Sequence, residues 1–94
     1  MLIEILDLFL DEFSAEQPHL LQRIREGDFA GLASKAHYFK GIAQNLGLLR
    51  FLPEVMLLEQ AAKKSDAACC TQAVNSLNQI TQHLISLRKS MPGH

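Results

Sequence analysis

Of the four histidines in this 94-residue chain, His37 has the setting most suited to chemistry. It lies in the stretch Ala36-His37-Tyr38-Phe39-Lys40-Gly41-Ile42-Ala43-Gln44-Asn45-Leu46-Gly47. With successive residues turned by about 100° around a helix, Phe29, Leu32, Ala36, Phe39, Ala43 and Leu46 share one apolar arc. His37 points well away from the centre of that arc, so its ring is open to solvent. One turn before and after it, Ala33, Ser34 and Gly41 leave little bulk over the ring, and Lys40 and Gln44 lie beside it. A neutral imidazole, with an ordinary pKa of about 6.5, offers a nitrogen lone pair to an electrophile near neutral pH.

A solitary surface histidine is usually only a solvated side chain, and it is the neighbours that carry the argument. Gly41 is the most telling of them. An interior helical glycine costs about 1 kcal/mol relative to alanine, so something other than helix stability accounts for it. Either it relieves crowding against a neighbouring helix or is merely tolerated, or it leaves bare backbone beside the ring so that another protein's active site can come close.

Four amphipathic helices are predicted to position this residue. Leu2, Leu6, Phe9, Phe13, Leu20 and Ile24 follow three- and four-residue steps and mark a first helix from Leu2 to about Arg25, with a kink or short break expected around residues 14 to 18 because of Pro18. Gly27-Asp28 supplies a stop and a cap for the second helix, expected from about Phe29 to Leu46, with Gly47 ending it. A third helix is expected to begin near Leu48 or Leu49 and end near Lys64, with Leu48, Leu52, Val55, Leu58 and Ala62 on its inner side and Pro53 tolerated near its start. Ser65-Asp66 breaks the chain again, and Ala73, Leu77, Ile80, Leu84 and Leu87 trace the fourth helix before a disordered tail over residues 90–94. Short turns make successive helices neighbours, which predicts an all-α, antiparallel up-down-up-down four-helix bundle with His37 on the second long helix.

Size and composition agree with that architecture. A chain of this length forms one domain, here residues 1–94, and buries roughly 60–70% of its unfolded surface. Hydrophobic residues make up 48% of the chain and tryptophan is absent, which favours helices over sheets. The net charge of −1 and the lack of a dense Lys/Arg run argue against nucleic acid as a partner. The acidic residues Glu4, Asp7, Asp11, Glu12 and Glu16 read as the solvated face of the first helix. They also interrupt the only apolar run near Met1, so neither a signal peptide nor a membrane span is expected. Cys69 and Cys70 are adjacent, diverge by about 100° on a helix, and lack a second pair to complete a zinc site; a reducing, cytoplasmic setting is expected, with no metal bound.

The combination Ala36-His37-x-x-Lys40-Gly41, continuing to Asn45-Leu46-Gly47, resembles the histidine-containing phosphotransfer domains of bacterial phosphorelays and their eukaryotic relatives. The Gly27-Asp28 turn before it, Leu58-Glu59 on the next helix and the Ser65-Asp66 break extend the likeness over about residues 5–88. Phe39, where leucine is common in the family, and Ile42, where a small residue is common, depart from the pattern. The N-terminal portion is also short beside members that begin with an extra small helix, as an excised part of a hybrid sensor kinase would be.

The resemblance implies that His37 accepts a phosphoryl group from an aspartyl phosphate on one receiver domain and passes it to another, in either direction. It implies that Lys40 stabilises phosphate charge and that Glu59 hydrogen-bonds and orients the imidazole. Ala33, Ser34, Gly41, Ile42 and Gln44 are expected to serve receiver docking or access, with Ile42 as an exposed apolar contact. No cofactor is expected on this chain, since receivers of this type bring Mg2+, the aspartate and a lysine. Without a nucleotide-binding loop, ATP-dependent catalysis of its own is not expected. Expected partners are response-regulator receivers and a hybrid sensor histidine kinase, met by a monomer. Two alternatives remain at this level: a helical interaction module without phosphoryl chemistry, and a histidine domain phosphorylated directly by a separate ATP-dependent kinase domain.

Overall fold

The computed structural model describes residues 2–90, with side chains from residue 4 to residue 89. It contains α1 (Leu2–Glu26), α2 (Phe29–Leu46), α3 (Phe51–Lys63) and α4 (Ala67–Ser90), with no strand among the described residues. Each helix packs against its chain neighbours, and α1 packs against α4, which closes the predicted up-down-up-down ring.

The turns explain why α2 starts and stops where it does. Gly27 adopts φ +75°, a left-handed conformation that costs glycine little, and the chain reverses there. The Asp28 carboxylate then accepts from the Gly31 amide at 3.0 Å and from Arg23 at 2.7 Å, so one side chain caps α2 and ties it to α1. At the other end Gly47 is again left-handed, φ +68°, and the amides of Gly47 and Leu48 return to Gln44 and Ala43. Asp66 caps α4 by accepting from the Cys69 amide at 3.1 Å.

Four phenylalanines set the rotation of α2. Phe9 and Phe13 of α1, Phe39 of α2 and Phe51 of α3 are buried and meet edge to face, with centroids 5.0–6.0 Å apart. Such pairs add about 0.5–1.5 kcal/mol each beyond their buried area. Phe39 lies two residues, roughly 200°, from His37; anchoring its ring in the core turns the histidine outward.

Several expectations need correction. Helix α1 runs through Pro18 without the expected break. The proline is exposed, and the fully buried Phe13 and Leu20 on either side of it hold the helix in place, so the lost backbone bond stays a local defect. Helix α3 begins at Phe51 rather than near Leu48, because the Leu48 amide is used to close α2 while its carbonyl accepts from Phe51 and Leu52. The inner face of α3 is accordingly Phe51, Val55, Leu58, Ala61 and Ala62. Leu87, assigned to the stripe of α4, is exposed, whereas Cys70, Val74 and Thr81 are buried. Helix α4 includes Ser90; the rest of the expected tail, residues 91–94, lies outside the described residues.

Candidate functional site

The site is built where α2 and α3 lie side by side. His37 is near the middle of α2, and its side chain is 71% exposed. Across the interface on α3, Glu59 is 93% buried, the only charged residue among those described to be so. A buried carboxylate is costly unless paired. This one is paired with three groups.

The two oxygens of Glu59 are used differently. Oε1 meets Lys40 Nζ at 2.8 Å, and Oε2 meets His37 Nδ1 at 3.2 Å and Lys63 Nζ at 3.4 Å. The Lys40 hydrogen bond is the main reason the Glu59 carboxyl is held below its ordinary range; burial opposes it, and His37 and Lys63 add to the lowering. Glu59 is therefore ionised at neutral pH and can only accept hydrogen bonds. The ring nitrogen facing it must be the one that carries hydrogen. Nδ1 donates to Glu59, which in the neutral ring leaves the lone pair on Nε2.

Lys40 and Glu59 thus join His37 in one cluster. Lys40 is oriented toward Glu59 and mostly covered, with 23% of its side chain exposed, rather than standing free over the ring. Ser34 and Gln44 are exposed, and Ala33 is half-buried against the core. Ile42, expected to be exposed, instead packs against the core, because the α2–α3 contact widens the buried face beyond the arc drawn on α2 alone. At Gly41 an added Cβ would meet no atom within 4 Å, so relief of crowding within this chain does not account for it.

Lys63 escaped the sequence reading, although its spacing four residues after Glu59 is a signal for an ion pair on a helix. Tyr38, next to His37, turns toward α1 and donates to Glu12 at 3.0 Å, while Lys35 pairs with Glu16 and lies over the Tyr38 ring. His19 and His83 are exposed and far along the chain from this cluster, and His94 lies outside the described residues. Among the described residues, no three His, Cys, Asp or Glu side chains are grouped as metal ligands would be.

His37 stands on an open helical surface, not in a cleft. Grooves on the molecule run elsewhere, one along Arg50, Glu54, His83 and Leu84, another along Glu16, His19, Arg23 and Lys35.

The sequence model of the Hpt domain family matches residues 4–89, nearly the whole chain, and the protein belongs to that family. Members of the family act in histidine phosphotransfer within phosphorelays, working with receiver domains and kinases as phosphocarriers. No curated protein and no solved structure matches the chain. No helix among the described residues is long and apolar enough to cross a membrane.

Proposed function

We propose that this protein carries a phosphoryl group between receiver-domain aspartates through Nε2 of His37. The observation that carries the reading is the contact between an ionised, buried Glu59 and Nδ1, which leaves the outer nitrogen as the nucleophile. Nε2 attacks the phosphorus of an aspartyl phosphate; the N–P bond forms, the O–P bond breaks, and the aspartate leaves as a carboxylate. The ring, which keeps its Nδ1 hydrogen, takes up positive charge beside the Glu59 carboxylate. Glu59 therefore stabilises the product ring electrostatically while holding its orientation.

Lys40 contributes by fixing Oε1 of Glu59, which points Oε2 at the imidazole. Gly41, with Ser34 and Gln44 around it, keeps the approach to Nε2 open. The receiver is expected to supply Mg2+ and the acceptor aspartate, so each partner holds half of the reacting assembly.

The test is to mix the purified protein with a phosphorylated receiver, and separately with an ATP-charged histidine kinase, beside His37→Gln. Wild type should take an acid-labile label from the receiver and His37→Gln none. Labelling by the kinase alone, or of His37→Gln as strongly as wild type, would overturn the proposal.

A further inference from the structure

The three groups that contact Glu59 are not equivalent, and the difference bears on what happens once His37 is phosphorylated. Lys40 has Oε1 to itself at 2.8 Å and is largely covered. Lys63 shares Oε2 with His37, at the longest of the three distances, and 66% of its side chain is exposed. Releasing Lys40 would remove the main partner of a buried carboxylate. Releasing Lys63 costs less, because its ammonium is already largely in solvent, its contact is the longest of the three and Lys40 still neutralises the carboxylate.

Phosphorylation changes the charges that these groups face. In the resting protein Lys40, Lys63 and Glu59 together carry +1. A phosphoryl group on Nε2 adds about two negative charges on the solvent side of the ring, and the ring itself becomes cationic. The ammonium least committed to Glu59, and the more exposed of the two, is that of Lys63. Because Lys63 and Nδ1 bond the same oxygen, its ammonium is no more than two hydrogen-bond lengths from the ring, within the swing of a lysine side chain.

We propose that Lys63 is a mobile counter-ion, resting on Glu59 Oε2 in the free protein and transferring to the phosphoryl oxygens when Nε2 is phosphorylated. The exchange has a second effect. When Lys63 leaves, Oε2 faces only the Nδ1 hydrogen, so the His37–Glu59 bond strengthens as the ring becomes positive. Lys63 is thus a positioning residue whose location depends on the phosphorylation state. This inference rests on the phosphotransfer reading of His37.

The experiment uses phosphoramidate as a small donor, so that no receiver interface is involved, with 31P NMR of wild type, Lys63→Gln, Lys63→Arg and Lys40→Gln. Lys63→Gln should keep the thermal midpoint of the free protein but be phosphorylated about threefold more slowly at low salt, an effect that disappears as salt screens it. The 31P titration of its phosphohistidine should move to higher pH, because a neighbouring cation favours the more charged phosphoryl form. Lys63→Arg should restore both, and Lys40→Gln should lower the thermal midpoint of the free protein. A Lys63→Gln protein with wild-type rate and titration overturns this inference alone, as does one destabilised like Lys40→Gln. Failure of wild type to be phosphorylated on His37 overturns the phosphotransfer reading as well.

Discussion

Helix α2 contains two glycines, ten residues apart, and they occupy opposite environments. At Gly31 an added Cβ would collide with the Asp28 carboxylate and with Arg23 Nη1; at Gly41 it would meet nothing. Gly31 is part of the corner that joins α1 to α2: Asp28 lies close over the first turn, bonded at once to the Gly31 amide and to Arg23, and only a residue without a side chain fits beneath it. Gly41 serves no such purpose in the chain itself. On the proposed phosphotransfer reading, a residue that costs helix stability and relieves no contact at home keeps the approach to His37 open. The first turn of α2 is thus shaped by its own fold, and the bare backbone in its interior by the proposed approach of a partner.

This contrast can be broken by substitution. Gly41→Leu should slow phosphoryl transfer from a receiver about 100-fold by displacing the reacting groups. Chemical denaturation of the free Gly41→Ala protein should show a gain of about 0.5–1 kcal/mol. A loss of stability there would mean that Gly41 also has a structural task, and unchanged transfer in Gly41→Leu would remove the access argument. Gly31→Ala should do the reverse, costing about 1 kcal/mol through overpacking while leaving transfer by the remaining folded protein intact. Made on an Asp28→Ala background, the same substitution should become favourable, since the colliding carboxylate is gone; a double-mutant cycle reads this coupling directly.

Acid provides the gentlest probe. Glu59 is held below its ordinary value of 4.5, so its contribution to stability is complete above that value and is lost as pH falls through the lowered one. The difference in thermal midpoint between wild type and Lys40→Met should therefore be constant above about pH 5 and shrink in stronger acid. Asp28 is also held low, mainly by the Gly31 amide and then by Arg23. Asp28→Asn should alter the acid end of the stability curve without slowing transfer, whereas Glu59→Gln should alter both.

The ends of α2 were legible because the signals there are local: Asp28 caps, Gly27 and Gly47 reverse the chain, and each acts within four residues. The start of α3 was not. Leu48-Leu49-Arg50 looks helical by composition, and only the hydrogen bonds of a particular reversal show that Leu48 still belongs to the turn. That displacement concealed Phe51 as a core residue. The exposure of His37 followed from one helix wheel, but the burial of Glu59 depends on the register between α2 and α3, which no single-helix pattern contains. Family resemblance alone had suggested Glu59. Ile42 was misplaced for the same reason, since the width of a buried face depends on what packs beside it.

The bidentate pair between Arg88 and Asp7, at 2.9 and 3.0 Å, joins residues 81 positions apart and brings the beginning of α1 beside the end of α4. Main chain thus enters and leaves the bundle at a single pole, while His37 sits at mid-height on another side. The Asp7–Arg88 clasp therefore fastens the first helix to the last at that pole and leaves the flank that bears His37 untouched.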